Sequence, residues 1–313
     1  MRKNRHYLYC AIVAGTAALS GCYHEAPIYS ELGHPKYEIQ DGTDYVTHTI
    51  YQIKQETGIQ VIYDFTPGDA LWDLGTPMTK GFGKKIYIPI DKNDPTDMAM
   101  LEPNLKYIKE NFLDAYDTEF KKKYFPVRIF LADSLKRNKS VEDFAYIARD
   151  HIAINLYKEN ESMRRPTGIP RVTTKEEYFT QLAPQLHSSL WQFVFTHRLA
   201  YPNSFHAFSS EYYTHNLGER KDPRYDIRMA GFWTYDEANS FKYYKAIDAA
   251  TDIADYIYRM TSMSEDEIVQ AAGGYQIMID KYNALRQAIK DLTGIDLQEI
   301  GNATARKRQQ PQP

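Results

Sequence analysis

The sequence predicts an α+β domain that is largely helical and carries a mixed sheet in its N-terminal half. Three observations predict this class: strand-like runs occur only before residue 160, segments with helical spacing of apolar residues dominate after it, and no internal repeat is apparent. About 290 residues remain once the targeting segment is removed, which is enough for one large domain with a sizeable core.

Four runs rich in β-branched and aromatic residues predict the strands of the mixed sheet. The first covers Ile59–Phe65 and closes at the turn-forming pair Pro67-Gly68. The others cover Lys85–Ile90, Val127–Leu131 and Phe144–Tyr157. The last run has room for one or two strands.

Apolar residues at helical spacing predict the main helices. These helices cover Glu102–Tyr124, Gln185–Ala200, Asn239–Met260 and Tyr275–Leu292. Thr173, with Glu176 three residues on, is typical of a capping box and begins a helix that Pro184 must kink or restart. Gly294 follows the last helix in the C′ position that favours glycine.

Residues 1 to 21 have the pattern of a bacterial lipoprotein signal peptide. A basic start is followed by a short apolar run, Leu8–Leu19, and then by Leu19-Ser20-Gly21-Cys22, in which small residues precede a cysteine. The sequence therefore predicts lipidation at Cys22 and anchoring to a membrane through acyl chains. The alternative is an ordinary secretory peptide with a chance cysteine. Because Cys10 leaves with the signal, no disulfide and no cysteine metal site are expected.

The residues after Cys22 predict the destination of the anchored protein. Tyr23 stands where an aspartate commonly retains lipoproteins in the inner membrane, so we expect the outer membrane. His24-Glu25 offers a single acidic residue, and the cell surface is expected although the periplasmic face stays open.

Charge and composition predict the two ends of the chain and exclude one class of partner. Removing residues 1 to 21 takes away three basic residues and no acidic one, so the net charge falls from −3 to about −6, which argues against nucleic acid. Arg306-Lys307-Arg308 lies in an apolar-poor tail that is expected to be disordered. The predicted organisation is a signal peptide at 1–21, a lipidated tether at 22–45, a folded domain at 46–300 and a tail at 301–313.

Short segments distributed over residues 58 to 300 resemble a known family, the zinc metallohydrolase lipoproteins associated with Sus-type nutrient import. These landmarks are Gly58–Tyr63, Phe112–Tyr116, Phe120–Pro126, Tyr201-Pro202 with Phe205, Ala230–Phe232, Asp252–Asp255 and Gly294–Leu297. Each segment is short, and their order and spacing carry the resemblance. It implies a zincin-like fold.

The resemblance also implies a zinc site, which this sequence does not reproduce. In the family, one helix carries His-Glu-Phe-x-His, whose histidines share a face and bind zinc while the glutamate acts as general base. Here the corresponding helix places Trp191 and Phe195 at the ligand positions and Gln192 at the base. His187 and His197 are ten residues apart, about 15 Å along a helix, and cannot share one zinc. We therefore expect no catalytic residue and no metal, and a packed core at this place.

Acidic residues of a second family motif survive as Asp252 and Asp255. Without partner ligands, the sequence favours solvated or helix-capping carboxylates, with ligand binding as the alternative. Trp233 and Tyr235 follow Gly231 and precede a polar stretch, so they are predicted to be exposed rings that could stack on a sugar or peptide.

The remaining histidines considered as possible metal ligands or structural residues are His206, His215 and His151. His206, Glu211 and His215 could form a relocated metal site, but solvated loop residues are favoured. His151 is expected to be a hydrogen-bonded structural histidine on a strand.

The resemblance implies a function beside a nutrient importer. We expect an accessory outer-membrane lipoprotein that is catalytically degenerate and binds substrate or scaffolds partners. The expected partners are the membrane, a TonB-dependent importer with its surface lipoproteins, and a glycan or peptide. One alternative is an active zinc metallohydrolase or metallopeptidase with other ligands, and the other is a structural subunit without a ligand.

Overall fold

The structure is a computed structural model, and it describes residues 37–71, 85–137, 141–159, 161–163, 171–213, 227–233 and 247–309. The described residues from Ile39 onward belong to one compact unit. Cys22 and Tyr235 lie outside the described residues.

Seven strands form two small sheets in the described part of the N-terminal half. They are β1 (Gln60–Ile62), β2 (Lys85–Ile88), β3 (Arg128–Ala132), β4 (Ser134–Arg137), β5 (Val141–Glu142), β6 (Ala145–Ile147) and β7 (His151–Asn155). One sheet has the order β1-β3-β7-β6, with β1, β3 and β7 parallel and β6 antiparallel. The other is antiparallel, in the order β2-β4-β5. β3 and β7 are almost wholly buried because layers cover both faces of a parallel sheet.

Helices make up most of the remaining described chain. They are α1 (Tyr45–Thr57), α2 (Pro67–Leu71), α3 (Pro95–Asn111), α4 (Thr118–Tyr124), α5 (Lys175–His197), α6 (Asn203–His206), α7 (Ala249–Ser262), α8 (Glu265–Ala272), α9 (Gln276–Thr293) and α10 (Leu297–Gln309). Short 3₁₀ turns cover Leu113–Ala115 and Ile227–Ala230. The predicted α+β class, largely helical with a mixed sheet in the N-terminal half, is confirmed.

Helix α5 lies at the centre of the fold. It packs against α7, β6, β7 and α3, and α7 in turn packs against α10. The buried residues of α5 run along most of its length, which explains why the segment is more apolar than a surface helix. No helix among the described residues combines the length and the apolar character needed to cross a membrane.

The predicted helix Glu102–Tyr124 is wrong in extent. The helix α3 begins at Pro95, where the Asp94 side chain accepts from the Thr96 backbone N–H, and ends at Asn111. A new helix, α4, begins because the Asp117 side chain caps the Phe120 N–H at 2.6 Å. The apolar spacing continues across the break and concealed it.

The start of α5 differs from prediction by one residue, and its proline does not interrupt it. The capping box pairs Thr174 with Glu177, not Thr173 with Glu176. Pro184 lies inside a continuous helix and is buried, so core packing on both sides offsets the lost hydrogen bond.

The later helices confirm one predicted boundary, while another lies outside the described residues. Gly294 ends α9 with φ 78° and donates its N–H to the Lys290 carbonyl at 2.8 Å, as its C′ position predicted. Within the described residues α7 begins at Ala249, because Asp248 is extended and caps the Thr251 N–H. The predicted start at Asn239 lies outside them.

The predicted disorder of residues 301–313 is wrong for the described part, which is the helix α10. Leu297, Gly301 and Ala305 lie one turn apart and are buried against the rest of the fold. A Cβ atom on Gly301 would lie 2.1 Å from the Met260 carbonyl oxygen, so glycine permits this close approach. Within the predicted tail the buried residues are Gly301 and Ala305, which are small. The low apolar content of the segment therefore hid its packing against the fold.

Candidate functional site

The three positions aligned with the zinc motif lie on the middle of α5. Trp191 is fully buried and Phe195 is 3% exposed, while Gln192 is partly exposed. The Trp191 ring centroid lies 5.6 Å from that of Phe120 and 5.6 Å from that of Phe195. Both ligand positions are therefore filled by packed hydrocarbon.

His187 lies one turn before Trp191 and is held by a buried hydrogen-bond relay. Its Nε2 lies 3.1 Å from the Asn111 carbonyl oxygen, which can only accept, so Nε2 carries the proton. Tyr116 then donates its hydroxyl to Nδ1 at 2.8 Å and accepts from Trp191 Nε1 at 3.1 Å. Burial lowers the pKa of His187 to about 4, so the ring is neutral and both of its nitrogens are engaged.

Asp252 is buried and paired with a lysine. This corrects the expectation of a solvated or capping carboxylate, since Asp252 is 1% exposed. Lys281 on α9 is fully buried and donates from Nζ to Asp252 Oδ2 at 2.6 Å. Asp255, on the same helix, is partly buried.

The Lys281 ammonium has a complete set of partners. Besides Asp252, Nζ donates to Ser209 Oγ at 2.7 Å and to the Gly231 carbonyl oxygen at 2.9 Å. Nζ also lies near the centroids of three rings, at 4.6 Å from Phe205, 4.7 Å from Phe232 and 5.1 Å from Tyr256. All three N–H groups are used, so the ammonium has none left for a substrate.

Burial away from water shifts the pKa values of both Lys281 and Asp252. Burial lowers the pKa of Lys281 to about 8, and burial raises the pKa of Asp252, while the mutual attraction of the two charges opposes both shifts. Such a pair is stable only when its remaining hydrogen bonds are made, as they are here.

A glycine is required beside the ammonium. Gly231 has φ 79°, and a Cβ atom there would lie 2.8 Å from Ser209 Oγ and 3.3 Å from Lys281 Cδ. Its carbonyl oxygen also accepts from the Tyr256 hydroxyl at 2.9 Å. The close approach of this backbone to Lys281 thus depends on the absence of a side chain.

The hydrogen bonds extend from Asp252 to His206. Tyr213 donates its hydroxyl to Asp252 Oδ2 at 2.7 Å, so its oxygen accepts from His206 Nδ1 at 3.0 Å. The proton of His206 is therefore on Nδ1, and the buried Nε2 has no partner among the described residues. Desolvation and the charge of Lys281 lower the pKa of His206.

The motif positions and the Lys281 cluster border the same interior region. Rings connect them, because Tyr201 stacks on Phe195 with 5.6 Å between centroids and lies 5.4 Å from His206. Ser188 Oγ on α5 also donates to the Ala254 carbonyl of α7 at 3.0 Å.

Zinc does not fit the described residues at the motif positions and around Asp252. Trp191 and Phe195 offer no ligand atom, both nitrogens of His187 are engaged, and Asp252 already neutralises a fixed cation. No group of three metal-ligating side chains occurs among the described residues. Of the relocated set, His206 is partly buried, Glu211 is exposed and His215 lies outside the described part.

The predicted exposure of Trp233 is wrong. Trp233 is 3% exposed, with its ring centroid 5.4 Å from that of Tyr256 and the Arg259 guanidinium 4.6 Å above it. The polar stretch that follows it concealed this burial, so Trp233 offers no stacking surface. The structural role of His151 is confirmed: His151 is fully buried, with Nδ1 donating to Asp150 at 2.8 Å.

Lys281 was missed in the sequence although a signal for it exists. It shares the buried face of α9 with Met278, Tyr282, Leu285 and Ile289, at helical spacing. A lysine on the apolar face of an amphipathic helix predicts a buried partner of opposite charge.

The chain matches no protein-family model and no curated protein. Among solved structures it is similar to a crystal structure described as a "putative zinc-binding metallo-peptidase" from Bacteroides caccae. The TM-score is 0.50 and the identity 17%, over 86% of this chain and 95% of that chain. This likeness shows a distant metallopeptidase-like fold, in agreement with the expected zincin-like class.

A double-mutant cycle tests the buried ion pair. Lys281→Met leaves the Asp252 carboxylate without its cation and is expected to lower the free energy of unfolding by about 3 to 5 kcal/mol. The double variant Lys281→Met/Asp252→Asn should lose about 2 kcal/mol less unfolding free energy than the summed losses of Lys281→Met and Asp252→Asn, measured by urea denaturation. The matched control Lys290→Met, on the exposed face of α9, should change stability by about 0.5 kcal/mol or less. Additive single effects would contradict the coupling.

A pH series tests His187. Its pKa is lowered from 6.5 to about 4, so its contribution to stability is complete above pH 6.5 and is lost as the pH falls towards 4. The loss should amount to about 3 kcal/mol of unfolding free energy. His187→Gln should show a flatter dependence of the unfolding free energy on pH than the parent between these pH values. Parallel curves for the parent and His187→Gln would refute this assignment.

Proposed function

We propose that this chain is a lipid-anchored accessory protein of a Sus-type outer-membrane nutrient uptake system. Its metallopeptidase-like domain binds or holds glycan or peptide substrates, or partner lipoproteins, and does not cleave them. The sequence supports the anchor through Leu19-Ser20-Gly21-Cys22, and the fold supports a common origin with metallopeptidases.

Two features carry the non-catalytic role, namely the ring packing at the motif positions and the ion pair of Asp252. Trp191 and Phe195 occupy the ligand positions with rings, and the Lys281 ammonium holds the carboxylate of Asp252. Zinc hydrolysis needs a metal with an open position for water. A tethered ammonium whose donors are all used provides neither the open position nor an activated water.

One observation favours the alternative of an active metallopeptidase with other ligands. The buried Nε2 of His206 has a lone pair without a partner among the described residues. Burial and the positive charge of Lys281 lower the pKa of His206. The same charge would repel a divalent cation at Nε2. The non-catalytic role is therefore preferred.

Zinc content tests this role on the full chain purified from membranes. Elemental analysis is expected to find far less than one zinc per chain, and no chelator-sensitive hydrolysis of a casein substrate. One zinc per chain, removed by chelator together with peptidase activity, would overturn the proposal. The variant Trp191→His/Gln192→Glu/Phe195→His tests the alignment, since zinc binding gained only in this variant would support it.

Labelling with radioactive palmitate tests the anchor. The parent protein should incorporate label and sediment with outer membranes, because its acyl chains insert into lipid. Cys22→Ala should lose the label, whereas the control Cys10→Ala, within the signal peptide, should keep it. Equal labelling of the parent and Cys22→Ala would rule out this lipidation site.

A further inference from the structure

A cavity of about 160 Å³ lies away from the Lys281 cluster. Residues of α3, of the segment after β7 and of the first turns of α5 line it, among them Met100, Pro103, Tyr157 and Phe179. Because β1, β3 and β7 are parallel, their carboxyl ends share one edge of the sheet, and Tyr157 follows β7 at that edge. Ligands of open sheets commonly bind at the carboxyl ends of parallel strands.

Two aromatic rings of the cavity wall are fixed in place by α3. The buried Asn104 donates Nδ2 to the Tyr157 carbonyl at 2.9 Å and accepts from the Tyr157 N–H at 2.8 Å. Tyr107 stacks on Phe179 with 4.2 Å between centroids and 18° between planes, and it donates its hydroxyl to the Phe179 carbonyl. The backbone of Tyr157 and the ring of Phe179 are therefore held in place before binding, which reduces the entropic cost of binding.

The wall carries no excess of positive charge that would select an anion. The ammonium of Lys158 already faces three carboxylates, with Asp97 at 2.8 Å, Asp133 at 3.0 Å and Glu161 at 3.4 Å, so it is not available to an anion. Lys175 and Glu159 also line the cavity and make no ion pair or hydrogen bond among the described residues. One donor and one acceptor that have no partner in the part of the chain that the structure describes suit a ligand with several hydroxyl groups.

The size of the cavity sets the size of the ligand. A cavity of about 150 Å³ accommodates one six-membered ring such as benzene. A pyranose is such a ring, with C–H faces that pack on aromatic side chains and an edge of hydroxyl groups. We propose that this cavity binds one neutral pyranose residue, with its face against Phe179 or Tyr157 and its hydroxyl groups hydrogen-bonded to Lys175 and Glu159.

This site rests on the proposed function, for which it names a sugar as the ligand, but it does not depend on the zinc-motif positions. A protein without zinc that binds no sugar would contradict only the sugar site. A protein that contains zinc and binds a sugar would contradict only the non-catalytic role.

Chemical-shift titration of the full chain tests the site with the methyl glycosides of glucose, galactose and mannose. At least one should bind with a Kd of about 1 mM. Phe179→Leu, which removes the ring but keeps apolar volume, and Lys175→Met, at an exposed position, should each weaken binding by about fivefold to tenfold. The control Lys290→Met, which does not line the cavity, should bind like the parent.

Three results would overturn the proposal. One is the absence of any shift with all three glycosides at about 50 mM. Another is binding of p-cresol without binding of a glycoside, which would identify an apolar pocket. The third is glycoside binding that neither Phe179→Leu nor Lys175→Met weakens, which would place the sugar elsewhere.

Discussion

The contact between the Lys281 ammonium and the Asp252 carboxylate ties four separate segments of this fold together. Asp252 belongs to α7 and Lys281 to α9, while Ser209 and Gly231 come from two short connecting segments. Removing both charges from water is costly, and the pair is stable only because every donor of the ammonium has an acceptor. The aromatic residues around Nζ exclude water and keep the geometry fixed. The interior of the C-terminal half therefore depends on one cation that the chain itself provides.

A cation of this kind changes what a metallopeptidase-like fold can do. Zinc carries two charges, accepts lone pairs and keeps a position open for water, whereas an ammonium carries one charge and only donates hydrogen bonds. Lys281 satisfies the carboxylate of Asp252 without creating a reactive centre. Similar folds support different functions because function depends on the side chains at the site. The buried rings of Trp191 and Phe195 likewise offer no atom that could bind zinc.

Sequence patterns predicted the strands and the helix end that depend on residues close together in the chain. The strands β1 and β3 and the end of α9 at Gly294 follow from β-rich runs and a glycine in the C′ position. The break after Asn111 was missed because apolar spacing continues through it. Helix α10 was missed because its close approach to Met260 requires glycine at position 301. A segment whose buried residues are small has a low apolar content, and its composition therefore resembles that of a disordered polar tail.

The candidate site was harder to predict because its contacts are distant in sequence. Asp252 and Lys281 are separated by 29 residues, and Ser209 is 72 residues from Lys281. Whether Asp252 is solvated depends on a partner that no local pattern reveals. The helical spacing of the apolar face of α9 was the one available signal, since it includes Lys281.

Anomalous diffraction at the zinc edge, from crystals of the protein soaked in zinc, tests most directly whether Asp252 is paired with Lys281 and not with a metal. We expect ammonium density next to Asp252, at the 2.6 Å of the ion pair, and no anomalous peak near Asp252 or His206. An anomalous peak bonded to either side chain at about 2.1 Å, with Lys281 displaced, would contradict it.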